Sequence, residues 1–175
     1  MPRQRSRYCP QSRIDDPAGA AQILVQTSPS SPLLVLDTNV ILDWIAFDDA
    51  RVYPLVSAIE SGVWRAATSP ACLQELRRAL AYVQVKLEPA AQALAFERYL
   101  AHSVVLEFPD AALAPDLPLC EDPDDQKFLE LAWQVRASHL VTRDKALLKL
   151  ARRVSDRFTV LAPDAFICWM TGPAH

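Results

Sequence analysis

Acidic residues recur where the sequence predicts that a strand ends or that the following helix begins. Asp37 closes the apolar run Leu33–Leu36, and Glu75 lies in the helix predicted after the second strand. The other acids of this pattern are Asp122, Asp124, Asp125 and Asp144. Because parallel strands present their carboxyl ends at the same edge of a sheet, where ligands bind in open α/β folds, we expect these carboxylates to converge on one crevice.

Carboxylates gathered in one crevice repel one another unless a cation lies between them. Two unit charges ~4 Å apart repel by about 4 kcal/mol at an effective dielectric constant of about 20. A hard divalent cation removes that repulsion, and oxygen-only ligands are those that Mg²⁺ or Mn²⁺ selects. A pair of such ions can activate a water and stabilise the attacking and leaving oxygens of a phosphodiester. The pattern therefore predicts an oxygen-ligated metal site suited to phosphodiester hydrolysis.

Histidine and cysteine do not suggest a different metal site. The three histidines and four cysteines lie far apart in the sequence, without the short paired spacings of zinc ligands. We expect the cysteines to be reduced, partly buried thiols, and any metal to be held by oxygen.

Each acidic residue also has an ordinary structural role that its position alone would explain. Asp37 and Asp144 each precede a predicted helix and could cap it. Asp122 and Asp125 flank a helix start, where capping and the helix dipole favour acids. Asp124 reads as a solvated surface charge, and Glu75 as a solvent-facing helix residue. Only the joint placement of these residues favours a functional site over the separate structural roles.

The elements that must position these acids alternate between strand and helix. Predicted strands cover residues 33–36, 64–68, 104–108, 139–142 and 158–161. Predicted helices cover residues 40–47, 51–61, 70–87, 89–102, 123–136 and 144–154, with a closing helix from residue 163. Gly62 is expected to end the second helix, and the apolar face of the third is expected to run from Cys72 to Val83. The alternation predicts a three-layer α/β/α sandwich with a mainly parallel central sheet.

Composition predicts one folded domain that follows a basic arm. Residues 1–31 are rich in Arg, Ser, Pro and Gln, and we expect them to be disordered or loosely attached. Residues 32–172 are predicted to form the domain, and an apolar content of 51% suits a self-sufficient core. No apolar run approaches the ~20 residues needed to span a bilayer, so we expect a cytoplasmic protein without a membrane partner.

Four motifs follow one another along the chain. They are Val35-Leu-Asp-Thr-Asn-Val40, Ser69-Pro70 leading to Glu75-Leu76, Cys120-Glu-Asp-Pro-Asp-Asp-Gln-Lys-Phe-Leu-Glu-Leu-Ala132, and Leu140-Val-Thr-Arg-Asp-Lys-Ala-Leu-Leu148. In the order and spacing of these motifs the chain resembles the PIN-domain family, over residues 33–170. The similarity is closest to the subgroup described as toxin components of toxin–antitoxin systems, which is related to the VapC-type ribonucleases.

The resemblance implies a PIN-like fold and RNA cleavage that depends on one or two Mg²⁺ or Mn²⁺ ions. It places the family's metal-binding and catalytic acids on Asp37, Glu75, Asp125 and Asp144, and these four residues are called the acidic quartet below. Asp122 belongs to the subgroup's own pattern and is a candidate additional ligand. Asn39 and Thr142 match polar positions that orient an acid or bind the metal's water. The implied partners are an RNA substrate and a cognate antitoxin protein, and whether the chain forms a homodimer stays open.

One position departs from the family pattern. Arg143 stands where family members usually carry glycine, and we expect its cation either to contact substrate phosphate or to pair with an active-site acid and lower metal affinity. With Lys145 it opens a basic segment, and phosphate contacts supply most non-specific nucleic-acid affinity. A solvated helix face explains this segment equally well, and the formal net charge of the chain is −3.

Two functions besides a metal-dependent endoribonuclease toxin stay open on the sequence alone. A non-catalytic PIN-like module would bind nucleic acid or protein, with a metal site weakened by Arg143. An aspartyl-phosphate phosphatase would use Asp37 as its nucleophile. That chemistry usually needs a second aspartate two residues later, where this chain has Asn39, so the phosphatase is the weakest of the three hypotheses.

Overall fold

A five-stranded parallel sheet forms the centre of the protein. The computed structural model describes residues 31–107 and 116–172, and the predicted arm lies outside these residues except for Ser31. The strands are β1 (Leu33–Leu36), β2 (Arg65–Thr68), β3 (Ser103–Val105), β4 (His139–Val141) and β5 (Thr159–Leu161). They lie in the order β3-β2-β1-β4-β5, and every neighbouring pair is parallel. The chain therefore changes direction across the sheet between β1 and β4, the kind of switch point where doubly wound folds bind ligands.

Seven α-helices connect and cover the strands in the described part of the chain. They are α1 (Thr38–Ile45), α2 (Tyr53–Glu60), α3 (Pro70–Leu80), α4 (Pro89–Ala101), α5 (Gln126–Gln134), α6 (Lys145–Lys149) and α7 (Pro163–Thr171). Short 3-10 turns cover Ala50–Val52, Pro123–Asp125 and Ala151–Arg153. Gly62 follows α2 with a φ of 76°, the left-handed conformation that glycine adopts readily after a helix. None of the described helices combines the length and apolarity needed to cross a membrane.

Two apolar cores, one on each face of the sheet, give the three-layer architecture. Leu34 and Leu36 of β1 point into a core shared with α1, α2, α4 and α7. Val35, between them, points into the opposite core with α5 and α6. This alternation follows from the two-residue period of a strand, and burial on both faces explains why β1 is continuously apolar. The predicted α/β/α sandwich is confirmed.

The main error in the predicted elements is the length of α3. The helix ends at Leu80 rather than near residue 87, and Val83, predicted on its apolar face, is 86% exposed. Residues beyond Leu80 continue in turns, and Lys86 adopts a left-handed φ of 56°. The β-branched Val83 and Val85 lose side-chain conformational entropy in a helix. For the exposed Val83, no apolar burial offsets this loss. The predicted helix at 144–154 is likewise shorter, because α6 ends at Lys149 and a 3-10 turn follows it.

Leu140→Ala tests the contribution of the central strands. Leu140 is fully buried in β4, opposite Val35 of β1. Its truncation removes buried methyl groups and leaves a cavity, so we expect a loss of about 2–5 kcal/mol in the free energy of unfolding. Urea unfolding monitored by circular dichroism measures it. The control is Val83→Ala, which should change stability by no more than about 0.5 kcal/mol, and equal losses in the two variants would contradict this packing.

Candidate active site

The carboxylate of Asp37 is buried where β1 ends, and side chains hold it there. Asp37 is 3% exposed, and its main-chain N–H donates to the carbonyl of Val141 at the end of β4 (3.0 Å). Its Oδ2 accepts one hydrogen bond from Asn39 Nδ2 and one from Thr142 Oγ1, each 2.5 Å long. Although Asp37 precedes α1, its side chain caps no helix N–H. Capping of α1 therefore does not explain why this carboxylate is buried here.

Thr142 links Asp37 to Asp144 across the ends of β1 and β4. The fully buried Thr142 hydroxyl donates to Asp37 and accepts a hydrogen bond from the main-chain N–H of Asp144 (2.8 Å). Asp144 Oδ1 in turn accepts from the N–H groups of Ala146 and Leu147, at 2.7 and 2.9 Å. The cap that the position of Asp144 suggested is thus present. It uses one carboxylate oxygen, and in the described part of the structure Oδ2 accepts no hydrogen bond.

Glu75 reaches the site from α3 and is paired with a cation of α5. Lys127 Nζ forms an ion pair with Glu75 Oε2 and also donates to the main-chain carbonyl of Asp124. The side chains of Lys127 and Glu75 are 20% and 23% exposed, so the pair is largely screened from water. The solvent-facing role considered for Glu75 therefore does not describe it.

The three aspartates before α5 have different surroundings. Asp122 is exposed, and its Oδ1 accepts a hydrogen bond from the N–H of Asp124 (2.9 Å), the capping role that its position suggested. Asp124 is exposed as well. Asp125 is half-buried, and although it precedes α5 its side chain caps no N–H there. Of the three, Asp125 is the one whose carboxylate no local structural role accounts for.

The pKa values of Asp125 and Asp37 are both raised. Burial raises the pKa of Asp125 to about 6, and the charges of Asp37, Asp144, Asp122 and Glu75 add to this effect. Burial also raises the pKa of Asp37, against the hydrogen bonds from Thr142 and Asn39 and with help from the charge of Glu75. Like charges disfavour each other's ionisation. The quartet therefore shares one electrostatic environment.

All four acids of the quartet line one cleft at the switch point. Its volume is about 370 Å³. Its remaining lining residues are Thr38, Asn39, Leu42, Arg78, Ala79, Tyr82, Asp122 and Asp124. The predicted convergence of carboxylates from α3, from the 3-10 turn before α5 and from the ends of β1 and β4 is therefore present in the structure.

Comparison with known families agrees with this arrangement. The family model described as PIN domain matches residues 33–146, which include the whole acidic quartet. The chain belongs to the PIN-domain family. No curated protein matches it. PIN domains are generally nucleases that use divalent metal ions, so the family supports a nuclease-type fold for this chain.

The oxygen donors of the PIN-domain cleft suit a hard cation, but their side chains are not arranged as a set of metal ligands. The acids offer only oxygen, and the buried Thr38 hydroxyl in the same lining has no hydrogen-bond partner within the described structure. No group of three or more His, Cys, Asp or Glu side chains in residues 31–107 and 116–172 is arranged to hold a metal ion. Glu75 is engaged by Lys127, and Asp144 by the N-terminus of α6. The donor set fits the metal, whereas the side-chain conformations favour internal partners.

Arg143 and Lys145 lie next to the PIN-domain cleft but not in its lining. The main-chain N–H of Arg143 donates to Asn39 Oδ1 (3.1 Å), and its Nε pairs with Asp43 of α1 at 2.6 Å. The guanidinium is therefore engaged by an acid outside the quartet. Lys145 is exposed at the first turn of α6. Phosphate contact by either residue stays a prediction.

Sequence reasoning missed several residues that shape the cleft. It did not predict the Lys127 ion pair, although Lys127 stands two residues after Asp125 within a quoted motif. It also missed Thr38 and Tyr82 in the lining. Tyr82 lies beyond the end of α3, where the prediction continued a helix with a different face. A cation two positions from a candidate metal ligand is the signal that would have found Lys127.

Asp125→Asn tests the crowding of the acids. The native pKa of about 6 lies above the ordinary 3.8, so ionisation of Asp125 costs stability, and this cost grows as the pH rises from about 4 to about 6. At pH 7.5 in EDTA we expect the variant to be more stable than the wild type by about 1 kcal/mol, a value reduced for solvent screening. Below pH 4 the difference should vanish. Urea unfolding at both pH values measures it.

The control for this experiment is Glu97→Gln, which removes an exposed acid of α4 that does not line the cleft. The free energy of unfolding of this variant should depend on pH in the same way as that of the wild type. A loss of stability in Asp125→Asn at pH 7.5 would contradict the electrostatic environment described above.

Thr142→Val tests the hydrogen bonds between the two strand ends. The variant keeps the shape of the side chain but removes the hydroxyl that bonds both Asp37 and the N–H of Asp144. Leaving these buried groups unpaired should cost about 1–3 kcal/mol of unfolding free energy. Thr159→Val, an exposed threonine of β5, is the matched control. A change no larger than that of the control, in the same urea assay, would contradict the role given to the hydroxyl.

Proposed function

We propose that this PIN-domain protein is a metal-dependent endoribonuclease that hydrolyses RNA phosphodiester bonds. The observation that carries the proposal is the single cleft at the β1–β4 switch point into which Asp37, Glu75, Asp125 and Asp144 all project. These acids come from distant parts of the sequence, and the charges of the other three add to the burial that raises the pKa of Asp125. Such repulsion weakens an apoprotein and is relieved by a bound cation.

The acidic quartet would hold Mg²⁺ or Mn²⁺, with Asp122 as an additional ligand at the rim. When bound, the metal supplies positive charge that activates a water and offsets the charge developing on phosphate oxygens. The chain's own residues fix where this chemistry occurs. Thr142 and Asn39 hold Asp37 by one oxygen, which orients the carboxylate before any ligand arrives.

Positive charge near the cleft would hold the phosphate backbone of the RNA. Arg78 lines the cleft one helical turn after Glu75, and the exposed Lys145 lies beside the cleft at the start of α6. Arg143 would contribute only after leaving Asp43. Contacts of this kind give affinity for nucleic acid without sequence preference.

We further propose that the enzyme acts as the toxin of a toxin–antitoxin pair and is restrained by a small cognate protein. The support is the resemblance of its motifs to the toxin subgroup of the family, related to the VapC-type ribonucleases.

One observation favours the second candidate, a non-catalytic PIN module that binds nucleic acid or protein. Over the described ranges, no three acids are arranged to hold a metal ion. If the side chains kept these conformations, the cleft would bind without cutting. The phosphatase hypothesis has less support, because Asn39 stands at the position of the expected acid. Its amide N–H donates a hydrogen bond to Asp37.

An RNA cleavage assay tests the proposal. Purified protein with Mn²⁺ should cut total RNA, and EDTA should stop the reaction. Asp37→Asn should lower the rate by roughly a hundredfold or more, because it removes charge from the site while leaving an isosteric side chain. Glu97→Gln, on α4, should cleave like the wild type. Gel electrophoresis of the products measures the rates.

The same samples separate the two candidate functions. Wild-type protein that binds RNA in a filter assay yet leaves it uncut in Mn²⁺ and in Mg²⁺ would overturn the nuclease and favour the binding module. Cleavage that persists in Asp37→Asn would show that a contaminant or another site does the chemistry.

A further inference from the structure

We propose that Lys127 neutralises Glu75 in the metal-free protein. Its ammonium group then competes with a divalent ion for the Glu75 carboxylate. The inference rests on the proposed function, since it takes the cleft to be the metal site. It assigns to this chain a residue that sets how tightly the metal binds.

The first observation is the choice of partner. Among the ion pairs of the described residues, the Lys127–Glu75 pair is the one that engages a member of the acidic quartet. The ammonium also donates to the carbonyl of Asp124, directly before Asp125. Lys127 thereby connects α5 to Glu75 of α3, and both of its partners, Glu75 and Asp124, line the cleft. Its positive charge lies where the negative charge of the site is concentrated.

The second observation is what this pairing does to the donor set. Asp37 and Asp125 keep raised pKa values, and the charge of Glu75 contributes to both. Glu75 itself is directed to α5 by Lys127, and the acids do not form a group that could hold an ion. A divalent ion that uses Glu75 must therefore displace the ammonium or share the carboxylate with it. Either way, cation–cation repulsion opposes binding, and partial burial limits its screening by salt.

The third observation is that Lys127 has an alternative place. It lines a second cleft of about 380 Å³, together with Glu107 and Glu130. Glu130 follows Lys127 by three residues on α5, a spacing at which helix side chains meet. When Glu75 turns to a metal, the ammonium can move to this acidic neighbour without leaving the protein surface.

Lys127→Gln tests the competition, with metal affinity rather than catalysis as the readout. Calorimetric titration with Mn²⁺ should show binding about tenfold tighter than in the wild type, because one positive charge near the ion is lost. The melting temperature in EDTA should fall, and the rise caused by millimolar Mn²⁺ should be larger than in the wild type. Lys127→Arg keeps the charge and should bind Mn²⁺ like the wild type.

Lys149→Gln is the matched control. It also removes a lysine from an ion pair, but the partner is the exposed Glu121, outside the quartet. Its effect on Mn²⁺ affinity should be small. In a Glu75→Gln background, Lys127→Gln should no longer tighten Mn²⁺ binding, since the contested carboxylate is absent. Lys127→Met, which removes the charge but keeps an unbranched side chain, repeats the test if the glutamine variant does not fold.

The outcomes separate this inference from the proposed function. If the wild type binds Mn²⁺ and Lys127→Gln binds it equally or more weakly, Lys127 does not compete with the metal and the inference is overturned, while the metal site stands. A tightening that persists in the Glu75→Gln background overturns it as well, because the effect then arises from the general field. If neither the wild type nor Lys127→Gln binds Mn²⁺, the metal site fails and both proposals fall.

Discussion

Repulsion between carboxylates at the carboxyl edge of a parallel sheet is the constraint on which this structure depends. The topology brings the ends of β1 and β4 side by side, and Asp37 and Asp144 follow these two strands. Glu75 and Asp125 join them in the same cleft. Water is largely excluded from Asp37, so its charge is poorly screened there. A fold that places these groups together must either supply internal positive partners or admit an external one.

The protein meets this constraint with different partners for different acids. Side-chain amide and hydroxyl donors hold Asp37, the main-chain N–H groups of α6 hold Asp144, and an ammonium holds Glu75. Asp125 has no comparable partner among the described residues, and its pKa is raised to about 6. Asp125 is therefore the acid of the quartet whose negative charge the described residues compensate least.

Local patterns predicted the sheet and the position of the acids, because both depend on short-range rules. Continuous apolar runs indicate strands buried on both faces, and polar residues directly after such runs lie at the sheet edge. The predicted length of α3 was wrong. Whether the helix continues beyond Leu80 depends on whether Val83 packs against a core, and Val83 is exposed. No local rule predicts that absence of packing.

The roles of individual carboxylates were harder to predict than their positions. Asp37 and Asp144 both precede helices, yet Asp144 caps its helix and Asp37 does not. Asp37 instead accepts hydrogen bonds from the side chains of Asn39 and of Thr142, the latter more than a hundred residues later in the chain. The partners of Arg143 and Lys127, on α1 and α3, are 100 and 52 residues away in sequence. Such pairings are set by the tertiary structure, so the spacing of residues does not identify the partner of each side chain.

The loop between β4 and α6 fixes the polarity of the hydrogen bonds around Asp37. The N–H of Arg143 donates to the amide oxygen of Asn39, so the Asn39 nitrogen faces Asp37, and the N–H of Asp144 donates to the Thr142 hydroxyl, so the hydroxyl proton points to Asp37. Both donor chains therefore originate in main-chain groups, which cannot reverse direction. A side chain at position 143 plays no part in this polarity, so glycine and arginine serve it equally, whereas proline, which lacks the N–H, would leave the Asn39 amide free to rotate.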